Sequence, residues 1–117
     1  MNDEIILVEN SITLSELKLL AQKSFGDMVK GVVDLEKGIM TLGAELHADE
    51  EAFLLSKSSK QENLWGINLY VDMPMPDMLE FDSMINIRPR QNNRSRSVED
   101  PEIKEKIITL VSKLITG

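Results

Sequence analysis

The 117 residues, 42% of them hydrophobic, suffice for a single domain over residues 1–117 with one core, and leave no length for a second. The absence of cysteine excludes disulfides and thiolate metal sites. Twenty acidic against thirteen basic residues, a net charge of -7, disfavour any general attraction to nucleic acid or to an anionic membrane, so anion binding has to be local.

The chain opens on MNDEIILVEN, which lacks the basic segment of a signal peptide. No apolar run approaches the ~20 residues of a membrane span, and a soluble, cytoplasmic protein is expected. A short strand is predicted from Glu4 to Val8, followed by a helix in ITLSELKLLAQKSFG. Thr13 stands at its N-cap with Glu16 three residues on, Ile12 is placed to staple onto Leu17, and Gly26 stops it. The segment MVKGVVDLEKGIMTLGAELH reads as a hairpin turning at Lys37-Gly38. In that register Leu35 faces Met40, Val33 faces Leu42, Gly31 faces Ala44 and Val29 faces Leu46. Lys30 then lies opposite Glu45, and Asp34 opposite Thr41, on the polar side.

HADEEAFLLSKSS predicts a short helix capped by Asp49, with Ala48, Ala52 and Leu55 along one face. NLWGINLYVD and LEFDSMINIR alternate as two further strands, joined by MPMPDM as an extended loop in which proline opposes both helix and ladder. The last helix, PEIKEKIITLVSKLITG, has Asp100 as N-cap, Pro101 in its first turn and a stripe of Ile103, Ile107, Leu110, Val111 and Leu114. The order is βαββαββα. Burial of the aliphatic faces predicts an α+β two-layer sandwich with a mainly antiparallel sheet, the first and last helices together on one face and the other face open or partly covered.

The stretches ELHADEE after a GIM hairpin, QENLWGINLY and FDSMINIRPRQNNRSRSVEDP resemble the signature stretches of a family of small bacterial and archaeal proteins of unknown function. The likeness runs from about Ile12 to the final helix. It implies a family but no activity, cofactor or catalytic residue.

All four arginines, Arg88, Arg90, Arg94 and Arg96, fall in the acid-free run from Asn86 to Ser97, whereas the other nine basic residues are lysines. Arginine supplies a planar fork of donors for carboxylate or phosphate, and lysine a hydrated point charge. Asn92 and Asn93 add amide groups, and the run leads to a helix N-terminus, although Glu99 and Asp100 already occupy that positive end. Three readings stand: a site for a small anionic ligand, a tether pairing the loop with surplus carboxylates, and a surface for a protein partner.

Strand parity adds a second group. Lys30, Glu45, His47, Asn68, Tyr70, Asp82, Asn86 and Arg88 are expected on the sheet face opposite the aliphatic one, able to line a polar bowl. His47, the one histidine, lies near Glu45 and Asp49, a minimal set for acid–base work or a weak cation site; no zinc spacing is present, and Asp49 to Glu51 are accounted for by favourable charge at a helix start. The usual nucleotide, metalloprotease and hydrolase motifs are absent. RSRS has no aromatic beside it for stacking bases, so nucleic acid is not the expected partner. The ligand-site expectation thus covers Glu45, His47, Asp82, Asn86, Arg88, Arg90, Asn92, Asn93, Arg94 and Arg96, with no metal and no cofactor identified. The alternative is a non-enzymatic interaction module that docks a partner, or a second copy as a homodimer, through the arginine and MPMPDM loops. Whether the protein is an enzyme stays open.

Overall fold

The computed structural model describes residues 5–117. In chain order it contains β1 (Ile6–Val8), β2 (Ile12–Thr13), α1 (Leu14–Lys23), β3 (Met28–Asp34), β4 (Ile39–Leu42), α2 (His47–Ser56), β5 (Leu64–Tyr70), β6 (Leu79–Glu80), α3 (Pro101–Leu114) and β7 (Ile115–Thr116). Short 3-10 turns lie at Gln61–Asn63, Met84–Asn86 and Pro89–Gln91. Five strands form an antiparallel sheet in the order β1-β4-β3-β5-β6, and β2 pairs in parallel with β7. The fold is α+β. Glu4, expected to begin the first strand, lies outside the described residues.

The helix signals act as their chemistry requires. Thr13 Oγ1 accepts from Glu16 N at 3.1 Å while Glu16 Oε1 accepts from Thr13 N at 2.9 Å, a complete capping box. Ser24 N and Gly26 N both turn back to Ala21 O, and Gly26 adopts φ 92°. Asp100 accepts from Glu102 N at the start of α3. Leu17, Leu20 and Ala21 of α1 and Ile107, Val111 and Leu114 of α3 close over Val29, Val33, Met40, Leu42, Trp65, Ile67 and Leu69 in one cluster. The first and last helices therefore share a face. On the other face Leu54 of α2 packs with Val32 and Leu64, so α2 adds a partial third layer to the expected two.

The hairpin register differs from the expected one by two residues. Val33 pairs with Met40 and Gly31 with Leu42, and Leu35 to Gly38 form a four-residue loop. Asp34 sets that loop: its Oδ1 accepts from Glu36 N at 2.9 Å and Lys37 N at 3.0 Å, and its carbonyl from Gly38 N at 2.9 Å. Because the shift is even, every side chain keeps its predicted face. The cross-strand partners change: Lys30 pairs with Asn68 of β5 rather than Glu45, and Asp34 with Ile39 rather than Thr41. Gly38 alone in the loop has positive φ, 69°, and an added Cβ would meet nothing closer than Leu110 at 3.9 Å. Gly38→Val therefore costs backbone conformation rather than collision, and is expected to lower unfolding free energy by roughly 1–3 kcal/mol. An unchanged urea midpoint would mean that the loop takes a different course.

Two other expectations are corrected. LEFDSMINIR is a strand only at Leu79–Glu80, after which Ser83 caps the Met84–Asn86 turn. The side chain of Asn86 replaces the missing ladder, accepting from Gly66 N at 2.8 Å and donating to Gly66 O at 3.0 Å. MPMPDM is wound into tight turns, with Met78 N bonded to Pro74 O and Leu79 N to Pro76 O, and Met78 is buried.

Candidate functional site

The arginine loop is clasped by its asparagines. Asn93, buried, donates through Nδ2 to Asn86 O and Ser97 O, both at 2.7 Å, and accepts from Glu99 N at 2.8 Å; its backbone bridges to Arg88. Asn86, wholly buried, also donates to Arg96 O at 3.0 Å. Glu99 Oε2 receives Arg94 N and Ser95 N at 3.1 and 2.9 Å, and its bonds to Ser95 hold the carboxyl below the usual carboxylate range. Asn92 takes the left-handed conformation, φ 60°, at the bend. The side chains of Arg90, Arg94 and Arg96 are exposed, and of these three only Arg96 forms an ion pair with a described residue, Asp82.

Where the loop returns past Ser83, it meets the start of α2 and the polar end of β3. Lys30, Leu46, His47, Ala48, Ser83, Met84, Ile85 and Arg96 line a pocket of about 260 Å³. His47 is buried in its wall, with Nε2 donating to Ile67 O at 2.8 Å. A carbonyl can only accept, so Nε2 carries the hydrogen and Nδ1 the lone pair. Burial pulls the imidazole pKa down, the Ile67 carbonyl opposes this, and Lys30 and Arg96 lower it further against Asp82. The ring is therefore neutral at pH 7. Beside it Asn68 Nδ2 donates to Glu80 Oε1 at 2.8 Å, Tyr70 Oη donates to the same oxygen at 3.3 Å, and Asn68 Oδ1 is buried without a partner among the described residues.

Of the residues singled out from sequence, His47 and Arg96 line this pocket, Asp82 holds Arg96, and Asn86 and Asn93 shape the loop from inside. Glu45 stands exposed and outside it. Arg88 and Arg90 belong instead to a cleft of about 730 Å³ walled by Gln61, Glu62 and the run from Ile87 to Gln91, while Asn92 and Arg94 line neither.

Lys30, expected on the polar sheet face from strand parity, and Ser83, which was not, complete the pocket. Glu50, expected at a solvated helix start, is wholly buried, because α2 begins at Leu46 without a side-chain cap and turns His47, Glu50 and Leu54 inward rather than Ala48, Ala52 and Leu55. Its spacing from His47 and Leu54, three and four residues, was the available signal. Among the described residues no three carboxylate or imidazole groups come together to hold a metal ion, and no helix is long and apolar enough to cross a membrane.

Residues 6–114, which include every residue of both clefts, match the family described as Protein of unknown function (DUF5674). The chain belongs to this family. No curated protein and no solved structure gives a match. Membership of DUF5674 brings no chemistry with it, so function has to be argued from the pocket.

Proposed function

We propose that this domain binds a small anion, bearing phosphate or carboxylate, in the pocket between β3, the start of α2 and the arginine loop. The observation that carries the reading is the convergence of Lys30 and Arg96 on one concavity with a neutral imidazole, in a chain whose net charge is -7. A local cationic site built against the overall charge attracts an anion that the rest of the surface repels. The Arg96 Nε donates to Asp82, which leaves its outer nitrogens for a ligand. A pocket of about 260 Å³ fits a ligand of few heavy atoms.

The test uses His47 as reporter. A bound anion favours the imidazolium, so adding phosphate or acetate is expected to raise the His47 pKa followed by NMR and to raise the melting temperature. Lys30→Met is expected to weaken binding about tenfold, the equivalent of about 1.4 kcal/mol, within the range of one charge-assisted hydrogen bond. His47 signals that ignore both anions would end this reading. The second reading, a partner surface, is favoured by Leu46 and Met84, 56% and 65% exposed on the rim of the same pocket; it calls for a concentration-dependent mass in sedimentation, abolished by Met84→Glu.

A further inference from the structure

Arg88 is the one arginine of the loop that is buried, 9% exposed. A guanidinium stays charged at any physiological pH, so its burial demands partners. Among the described residues only Nη1 has one, Ile85 O at 3.3 Å; Nε and Nη2 are enclosed and have none there. Those two nitrogens form the edge that meets a carboxylate with two parallel hydrogen bonds. The plane is held flat on Trp65, whose ring centre lies 4.2 Å from Cζ. No carboxylate of the described residues forms an ion pair with it. Glu51 acts on it only as a charge and accepts from Gln61 Nε2 at 3.3 Å. Arg88 thus holds a pre-oriented, enclosed fork in the wall of the 730 Å³ cleft.

We infer that this cleft receives a monocarboxylate with an apolar substituent, the carboxylate docking on Nε and Nη2 of Arg88. A planar group with two oxygens matches a two-donor edge, and Glu62 in the wall disfavours a phosphate dianion. Ile87 and Pro89 give the substituent an apolar wall, and exposed Arg90 adds long-range attraction. The two walls are joined by an exposed hydrogen bond from Gln91 Nε2 to Glu62 O at 3.0 Å, and entry parts them there. The shared chemistry has two sources, a free aliphatic acid or the C-terminus of a peptide.

Trp65 is the only tryptophan and lies against the Arg88 guanidinium, so its fluorescence responds to a ligand on that group. The full chain is titrated with 4-methylpentanoate, N-acetyl-leucine, the amides of both, and inorganic phosphate. A saturable change with the carboxylates, absent with the amides and with phosphate, is expected. The tighter of the two acids identifies the source. Arg88→Lys keeps the charge but not the fork and is expected to lose the response; should that buried variant fail to fold, exposed Arg90→Gln is expected to weaken it a few-fold at low salt. No saturable change with either acid, or an equal change with amides or phosphate, overturns the assignment and leaves Arg88 satisfied by trapped water.

Discussion

Asn86→Ala is expected to lower the unfolding free energy by about 3 kcal/mol or more, from the cost of leaving several buried polar groups unpaired at once. The side chain is wholly buried and serves Gly66 N, Gly66 O and Arg96 O at 2.8, 3.0 and 3.0 Å. β6 pairs with β5 only at Asn68 and Leu69, so no neighbouring strand can take over at Gly66. Nor can the chain close the gap by sliding. A Cβ on Gly66 would already lie 2.6 Å from Ser83 Oγ, which shows how tightly the turn presses on the strand. Asn86→Asp keeps the shape but sets carboxylate oxygens against two carbonyls, and is expected to cost at least as much. Urea denaturation measures both. A loss under about 1 kcal/mol for the alanine variant would mean that water replaces the amide.

The same residue explains where sequence reasoning stopped. Alternation from Leu79 to Arg88 is real, but a period of two does not reveal whether an edge strand is paired through its backbone or through one side-chain amide. The hairpin failed more gently. Asp34 is in the ladder as expected, opposite Ile39 rather than Thr41, and its carboxylate also organises the loop after it and accepts from Ser59 Oγ at 2.6 Å, which sets the register two residues away and leaves the faces intact. Capping residues with local partners, such as Thr13, Glu16 and Asp100, were legible because their chemistry is satisfied within three residues. Asn86 bonds Gly66 across twenty residues and Asp34 bonds Ser59 across twenty-five, separations that local pattern does not reveal, whereas the Asp34 bonds to Glu36 N and Lys37 N are local and mark an Asp-led loop that a two-residue turn does not use.

For the candidate site, residue type singled out the loop without separating its arginines. Arg88 and Arg96 are eight residues apart but leave the loop toward different clefts, because Asn93 and Asn86 fold the intervening chain back on itself. Pairing with surplus carboxylates describes Arg96 alone; the tether is made by amides. The pocket also depends on α2, whose inward face holds a histidine and a glutamate. Hydropathy assigns both to water, and only their spacing from Leu54 indicates otherwise.

That glutamate gives a pH effect of unusual sign. Glu50 accepts from Ala44 N at 3.0 Å and Thr41 Oγ1 at 3.3 Å, yet burial outweighs these bonds and the Lys30 charge, and holds its carboxyl well above the usual carboxylate range. The folded state therefore keeps a proton that the unfolded chain has lost. This group's contribution is complete below the unfolded value of 4.5 and is lost as pH rises from there through the folded pKa. Glu50→Gln removes the ionisation while keeping the volume and one acceptor. Its stability relative to wild type is expected to rise with pH, by about 1.4 kcal/mol for each unit by which the folded pKa exceeds the unfolded one. Taking the difference matters, because Glu16 and Glu99, both lowered in the folded state, give wild type and variant the same opposite slope at low pH. Glu50→Ala removes the same ionisation but leaves Ala44 N–H unpaired beside a cavity, and is expected to be less stable than Glu50→Gln at every pH, by about 2 kcal/mol or more. Denaturation of wild type and both variants between about pH 4 and 8 brackets the window above the unfolded carboxylate value. Parallel curves for wild type and Glu50→Gln would show that water reaches the carboxylate and that α2 seats less closely on the sheet than its buried face implies.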